Sequence, residues 1–326
     1  MQNQNRRAFL QSSAGVVAVG LGSDSLPVGS AAFLRHETMI LSSDQTAPVI
    51  ASNAGKKPLR LGLIIAIEPN PDAALAKVRE LDLPTCQVYA SEFHTSLAAD
   101  LTKALEKYKL EATSFVVGGP GREVYDFYNG PQTIGLVPRE TRGARIAHIK
   151  NASDFAKRCG IPAVQTHCGF IPENPNDLVY KETVNAMREV AAYCKSNGQN
   201  FRYETGQETP ITLVRAMRDV GLDNQGVNFD LANLILYGKA NPADAIEILG
   251  PYVQGIHAKD GLWPTNPKYL GEEVPIGKGK VDFPRIIARL KELKYEGAVT
   301  IEREISGTQQ IEDAQAAKRY LENLIG

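Results

Sequence analysis

Four residues with metal-binding side chains end four successive apolar, strand-like runs in the second half of this chain. They are Glu204 after Phe201-Arg202-Tyr203, Asp230 after Val227-Asn228-Phe229, His257 after Gln254-Gly255-Ile256, and Glu302 after Val299-Thr300-Ile301. Three carboxylates and one imidazole form a mixed donor set that suits a divalent ion such as Mn, Mg, Co or Zn. The four side chains of this quartet converge only if their strands are neighbours whose ends lie on one side. The quartet therefore constrains the whole fold.

From Leu59 onward the chain alternates apolar runs with helix-like stretches. The eight runs are 61–67, 85–90, 113–117, 163–167, 201–204, 227–230, 253–257 and 299–302, and the helices that follow them are 72–81, 97–108, 142–159, 181–196, 211–220, 242–249, 283–293 and 311–324. Strands that alternate with helices pair in parallel, and eight such units close into a barrel. A competing open sheet would carry a Gly-rich phosphate turn after its first strand, where Glu68-Pro69-Asn70-Pro71 stands instead. We predict an α/β fold with a single (β/α)8 TIM barrel over residues 58–326.

The first 32 residues form a separate segment. Asn5-Arg6-Arg7-Ala8-Phe9-Leu10-Gln11 resembles the twin-arginine export motif, a short apolar stretch follows at 14–21, and Gly29-Ser30-Ala31-Ala32 suits a signal peptidase. The alternative is a disordered tail with a chance pair of arginines. Residues 33–57 are polar, lack periodicity and indicate a linker. We predict a twin-arginine signal peptide and a periplasmic or secreted protein. We expect no stable membrane association, because the apolar stretch is too short to span a bilayer.

Charge and cysteine spacing exclude other classes of function. The net charge of −1 offers no basic field for a nucleic-acid backbone, so we expect no nucleic-acid partner. The four cysteines form no CxxC pair, which argues against a cysteine zinc site. Cys168 follows His167, but adjacent residues of a strand point to opposite faces, so the two do not act together as nucleophile and base.

Side-chain alternation adds candidates around the quartet, because catalytic groups of such a barrel lie at the C-terminal ends of its strands. Lys259 shares a strand face with His257, and His167 ends the fourth run on the face of Gln165. Glu68 and His94 follow the first and second runs, where a solvent-facing polar residue is an equally simple interpretation.

Two further features lie near the predicted rim. Trp263 and neighbouring aromatic residues suit the faces of a sugar, but they equally suit packing under long loops or a contact between two copies of the chain. A homo-oligomer therefore stays open. Gly277-Lys278-Gly279-Lys280 suggests a phosphate loop only weakly. A tight turn before a helix that Asp282 caps, with Pro284 in its first turn, is the favoured interpretation.

Five motifs around the quartet and the candidate residues resemble those of a known family. They are Tyr203-Glu204-Thr205-Gly206-Gln207-Glu208-Thr209, Asn228-Phe229-Asp230-Leu231-Ala232-Asn233, His257-Ala258-Lys259-Asp260, Thr300-Ile301-Glu302-Arg303-Glu304 and the segment 274–283. Together they resemble the sugar (phosphate) isomerase/epimerase family of xylose-isomerase-like TIM barrels, over residues 59–326. The resemblance is specific for fold and metal site, and it leaves the substrate open because this family hosts several chemistries.

The resemblance implies that Glu204, Asp230, His257 and Glu302 bind one divalent ion. It also implies that the two glutamates move a proton, one removing it from a carbon beside a carbonyl and the other returning it to the opposite face of an enediolate. We therefore expect an isomerase or epimerase acting on a keto-sugar or related polyol. The predicted catalytic residues are Glu204, Glu302, His167 and Lys259, and the predicted substrate-binding residues are Asn233, Glu68, His94 and Trp263.

One departure from the family keeps a second reaction open. Related epimerases usually carry His three residues after the metal-binding Asp, and this chain has Asn233, which can hydrogen-bond a hydroxyl but cannot act as an acid or base. A lyase or hydratase on 3-keto-glycosides or inososes, which expels a β-substituent after the same first step, is the alternative. A non-catalytic sugar-binding barrel is the third. The DNA-repair branch of the family is excluded, because five histidines are too few for its three zinc ions.

Overall fold

Eight parallel strands close into a barrel in the computed structural model, which describes residues 59–326. The barrel strands are β1 Arg60–Ala66, β2 Thr85–Tyr89, β3 Glu111–Val116, β4 Ala163–His167, β5 Asn200–Glu204, β6 Gln225–Asp230, β7 Val253–Ala258 and β10 Ala298–Ile301. Two short strands outside the barrel, β8 Asp260–Gly261 and β9 Glu273–Val274, form a separate sheet. Strands β1 to β7 follow one another around the barrel, and β10 closes it between β7 and β1. The predicted (β/α)8 barrel is confirmed. The predicted signal peptide at 1–32 and linker at 33–57 lie outside the described residues.

Helices connect the strands on the outside of the barrel. They are α1 Pro71–Glu80, α2 Thr95–Tyr108, α3 Gly130–Thr133, α4 Arg139–Arg158, α5 Leu178–Ser196, α6 Pro210–Val220, α7 Leu231–Leu236, α8 Pro242–Leu249, α9 Phe283–Glu292 and α10 Thr308–Ile325. Within residues 59–326, no helix combines the length and the apolar character needed to cross a membrane. The four cysteines are buried and free of disulfides.

The loop between β7 and α9 is organised by one buried carboxylate. Asp260 accepts hydrogen bonds from the backbone N–H groups of Gly277 at 2.9 Å, Gly279 at 2.8 Å and Val281 at 3.1 Å. Asp282 then caps α9 by accepting from Arg285 N at 3.2 Å. The Gly/Lys segment is thus a turn before a capped helix, as predicted. The antiparallel hairpin of β8 and β9, which precedes this turn, was not predicted.

The two faces of the barrel strands differ in chemistry. Outward-facing residues such as Phe201, Phe229 and Ile256 are fully buried under the helices. The interior of a TIM barrel is usually filled by branched aliphatic side chains. Here the buried inward positions include polar residues, namely Gln87, Ser114, Gln165, Arg202, Asn228 and Thr300. The interior is therefore built to support a polar site at the C-terminal ends of the strands.

Candidate metal centre

The barrel brings the quartet together at the C-terminal ends of four neighbouring strands. Glu204 ends β5, Asp230 ends β6, His257 lies near the end of β7, and Glu302 directly follows β10. One ligand atom from each residue lies within 4.8 Å of the others. All four residues are at most 4% exposed. Parallel strands place these ends on one edge, which is why residues up to 98 positions apart in sequence meet.

His257 stands in the middle of the carboxylates. Its Nδ1 lies 3.1 Å from Glu204 Oε1 and 3.0 Å from Glu302 Oε2, while its Nε2 lies 2.7 Å from Gln87 Oε1. The Gln87 oxygen only accepts, so Nε2 carries a proton, and Nδ1, which faces the carboxylates, is the ring nitrogen that would bind a metal ion after giving up its own proton. Metal-binding histidines almost always donate their second ring N–H to such an acceptor.

The charge balance of the quartet fits a cation. Asp230 Oδ2 is buried and accepts no hydrogen bond within the described residues. Burial raises the pKa of Asp230 to about 6. Burial alone lowers the pKa of His257, but the carboxylates of Glu302 and Glu204 outweigh it and raise that pKa well above its usual value. Three buried carboxylates with an orphaned oxygen are the donor set expected for one divalent ion.

Glu204 is held as a carboxylate. Burial opposes its ionisation, but the imidazoles of His167 and His257 lower the pKa of Glu204 to about 2. His167 Nε2 lies 3.3 Å from Glu204 Oε1, and the side chain is about 8% exposed. The His167 Nδ1 atom is buried and has no hydrogen-bond partner among the described residues. The structure therefore places His167 in the site, beside one of the two glutamates predicted to move a proton.

Lys259 is buried beside Glu302 and Asp230 of the quartet. Its Nζ lies 3.3 Å from Asn233 Oδ1, 3.3 Å from Glu302 Oε2 and 3.1 Å from Glu304 Oε2. Burial lowers the pKa of Lys259, but the carboxylates of Glu302 and Glu304 outweigh it and raise the pKa well above its ordinary value. Lys259 is therefore an ammonium, which donates hydrogen bonds and does not act as a base. Since it only donates, it fixes Asn233 with Oδ1 toward the lysine and leaves Nδ2 as the free donor.

Three predicted substrate-binding residues, Glu68, His94 and Trp263, lie in loops outside the quartet. Glu68 accepts from the backbone N–H groups of Ser91 at 2.6 Å and Glu92 at 3.1 Å, which orders the loop after β2. His94 caps α2, where its Nδ1 accepts from Leu97 N at 3.0 Å. Trp263 is 37% exposed in the loop after β8. None of these contacts joins the quartet, and the substrate-binding roles of the three residues stay predictions.

A chain of buried amides supports the quartet and was not predicted. Ser114 Oγ donates to Gln165 Oε1 at 2.7 Å, Gln165 Nε2 donates to Gln87 Oε1 at 2.9 Å, and Gln87 Nε2 donates to Asn228 Oδ1 at 3.0 Å. Gln87 thereby presents its oxygen to His257 in a fixed orientation. The available sequence signal was a polar residue inside an apolar run, such as Gln87 between Cys86 and Val88.

Glu208, in the loop between β5 and α6, gives a prediction about pH. Burial raises the pKa of this carboxyl to about 8 from 4.5, and its Oε2 has no hydrogen-bond partner in the described part of the chain. Because the folded state favours the protonated form, stability is lost as pH rises from about 4.5 through about 8. We expect Glu208→Gln to remove this loss, which denaturant unfolding at pH 5, 7 and 9 would measure. The exposed control Glu106→Gln should follow the wild type, and parallel curves for Glu208→Gln and wild type would contradict the prediction.

Comparison with known proteins identifies the family. A family model described as the xylose isomerase-like TIM barrel matches residues 66–324. The chain belongs to this family. Among solved structures, it is similar to a xylose isomerase domain protein from Planctomyces limnophilus, with 35% identity and a TM-score of 0.77 over 82% of this chain and 97% of that one. The family and fold expected from the quartet motifs are thus confirmed.

Two further relatives of this xylose isomerase-like barrel are more distant. A D-psicose 3-epimerase solved in the presence of D-fructose is 17% identical, with a TM-score of 0.63 over 82% of this chain and 100% of that one, and this likeness shows a shared fold. The curated protein MJ1311 of Methanocaldococcus jannaschii is 28% identical over 191 residues, which are 54% of this chain and 61% of the relative. The chain therefore spans less than two thirds of that relative's length.

Proposed function

We propose that the protein is a divalent-metal-dependent isomerase or epimerase that acts on a keto-sugar or a related polyol. The observation that carries the proposal is the buried quartet, in which carboxylates of Glu204 and Glu302 lie 3.1 and 3.0 Å from the same imidazole nitrogen. The xylose isomerase-like family supports the reaction class. The fold shared with D-psicose 3-epimerase, and the ketose in that structure, support the substrate class.

The two glutamates supply the proton chemistry in this proposal. A divalent ion held by the quartet would draw charge from the carbonyl and neighbouring hydroxyl oxygens of the substrate and so acidify the C–H between them. Glu204, which is ionised, accepts that proton from one face, and the electron pair of the C–H bond moves onto the carbonyl oxygen to give an enediolate. Glu302, which enters this step in its protonated form, delivers its proton to the opposite face, and the carbonyl re-forms in the epimer. Proton exchange with solvent then returns both carboxyls to their starting states.

The neighbouring donors orient the substrate. Nδ2 of Asn233 is a hydrogen-bond donor and suits an electron-rich oxygen of a sugar. The three N–H groups of the Lys259 ammonium contact Asn233, Glu302 and Glu304, so the lysine holds that amide in place. His167 contacts Glu204 directly and positions that carboxylate. These roles need no acid or base at Asn233, where related epimerases carry His.

A lyase or hydratase acting on 3-keto-glycosides or inososes is the second candidate, and Asn233 is the observation that favours it. This reaction shares the removal of the α-proton, but the enediolate then expels a β-substituent. A non-titrating residue at this position suits an enzyme that does not need to reprotonate carbon.

Incubation with keto-sugars in deuterated water tests the proposal. We expect incorporation of one deuteron beside the carbonyl and recovery of two epimers. No aglycone and no water molecule should be eliminated from the sugar. Release of an aglycone or of water from the substrate, without recovery of a second epimer, would favour the lyase. Absence of both exchange and elimination across a panel of ketoses, 3-keto-glycosides and inososes, with metal bound, would overturn both and favour a sugar-binding barrel.

A further inference from the structure

Arg145 of α4 is a buried side chain that holds the stretch of chain preceding its own helix. The residue is 1% exposed. Its Nη1 donates to Gly135 O at 2.7 Å, and its Nη2 donates to Thr133 O at 2.5 Å. Both carbonyls belong to residues 117–138, which connect β3 with α4 and are called the β3–α4 segment below. One planar guanidinium therefore ties together two points of this segment.

The part of the segment that Arg145 holds packs directly on the end of β4. Leu136 N, which follows the Gly135 carbonyl, donates to Cys168 O at 2.9 Å, and Cys168 follows His167. The approach is so close that a Cβ on Gly135 would lie 2.2 Å from the carbonyl carbon and oxygen of Cys168. Gly135 also has a φ of +70°, which favours glycine. The backbone that follows His167 is thus fixed by the turn that Arg145 stabilises.

The same segment also contacts the imidazole ring of His167. The ring of Tyr125 packs edge-on against it, with the two ring centroids 5.9 Å apart. The Tyr125 hydroxyl donates to Glu123 Oε2 at 3.3 Å, and Glu123 Oε1 lies 3.8 Å from Arg145 Nη2. Glu123, Arg145 and His167 line one narrow space. Arg145 therefore reaches His167 by two routes, through the backbone and through Tyr125.

The orientation of the His167 ring depends on this packing. Its Nδ1 is buried and has no hydrogen-bond partner within residues 59–326, while its Nε2 lies 3.3 Å from Glu204 Oε1. A ring without a second hydrogen bond is oriented by its van der Waals contacts and by its backbone, and the β3–α4 segment contributes to both. Because the ring touches Glu204, a displaced imidazole also disturbs the carboxylate that accepts the proton.

We propose that Arg145 is a positioning residue for the proton transfer, because it holds the β3–α4 segment against β4 and so keeps the His167 imidazole against Glu204. The guanidinium is occupied by backbone carbonyls and by Glu123, so Arg145 acts through His167 and not on the substrate. This inference rests on the function proposed above. An arginine that only stabilised the fold would make the same hydrogen bonds, so the test has to follow His167 itself.

Arg145→Lys is the first variant, because lysine keeps the charge but lacks the planar fork that binds two carbonyls together. We expect the metal-loaded variant to lose roughly 10–100-fold in kcat, the scale of a misplaced catalytic group, with KM and metal affinity unchanged. The matched control is Arg188→Lys. Arg188 also donates to two backbone carbonyls, Asp219 O at 2.5 Å and Val220 O at 3.1 Å, at the end of α6 on the opposite side of the barrel from the quartet. This control should lose stability but keep kcat.

A double-mutant cycle separates positioning from stability. In a His167→Ala background, Arg145→Lys should change kcat by no more than about twofold, because the side chain that it positions is gone. A loss of kcat that is equally large with and without His167 would overturn the proposal. A wild-type kcat in Arg145→Lys would overturn it as well.

NMR of isotope-labelled histidine gives a measurement that needs no substrate. The Cε1–H signal of His167, assigned by its absence from His167→Ala, should shift in Arg145→Lys and keep its wild-type position in Arg188→Lys. An unchanged signal in Arg145→Lys would contradict the positioning role. A shifted signal in a protein that exchanges no ketose proton would contradict the proposed function instead, while Arg145 would still position His167.

Discussion

Glu302→Gln is expected to lower the turnover of the epimerisation by roughly 10²–10⁴-fold, the usual contribution of a positioned acid or base. Glutamine keeps the shape of the side chain but can neither accept nor deliver the proton. Glu204→Gln should have a similar effect, because the structure holds Glu204 as a carboxylate in contact with two imidazoles. Turnover with saturating metal and substrate is the measurement, and the exposed variant Glu312→Gln is the matched control.

Isotope exchange separates the two glutamates from each other. If each serves one face of the carbon, Glu302→Gln should still exchange the α-proton of one epimer with deuterated water while losing interconversion. Glu204→Gln should do the same for the other epimer. Metal content, measured on the same samples, distinguishes the loss of a base from the loss of a ligand. Full interconversion by both metal-loaded variants would show that other groups move the proton.

The strands that build the quartet were predictable because each short run has apolar residues on its outward face and is followed by a polar residue. The structure places β5 at Asn200–Glu204 and β7 at Val253–Ala258, within one residue of the runs 201–204 and 253–257. Alternation along a strand also placed Lys259 on the face of His257, where its ammonium contacts Glu302. These are local regularities, so a single sequence carries them.

Helix α7 and the β8–β9 hairpin are too short to show a repeating pattern, and both were missed. Helix α7 spans Leu231–Leu236, all of it buried, so it shows no amphipathic alternation. The β8–β9 hairpin has two residues per strand and depends on Asp260, whose partners lie 17 to 21 positions away. Such contacts are set by tertiary packing and leave no local signal.

The support of His257 was missed for a related reason. Gln87 and His257 are 170 residues apart, and their contact requires the closed barrel to bring β2 opposite β7. His94, predicted to bind substrate, stands alone after its strand, and the structure shows its Nδ1 capping α2, while its substrate-binding role stays a prediction. A polar residue after a strand is therefore informative when several strands agree and weak when it stands alone.

Stripping the divalent ion with a chelator is expected to lower the melting temperature by roughly 5–15 °C, which corresponds to an ion present at 100 to 1,000 times its dissociation constant. Without the ion, the buried carboxylates of Glu204, Asp230 and Glu302 repel one another, and Asp230 Oδ2 accepts no hydrogen bond from residues 59–326. Restoring Mn, Co, Mg or Zn one at a time should recover the melting temperature to different extents and thereby rank the metals.

Gln87→Leu tests the same site by weakening metal binding without removing a ligand. This change leaves all four ligands in place but removes the acceptor that holds the Nε2 proton of His257, so we expect a roughly 10–100-fold loss of metal affinity. The matched control is Gln315→Leu, which makes the same replacement on the exposed face of α10 and should bind metal as the wild type does. Metal titration followed by calorimetry measures the affinity. An unchanged metal affinity in Gln87→Leu would mean that the imidazole of His257 is oriented without the amide chain. In the chelator experiment, a melting temperature that does not change would reject the metal centre itself.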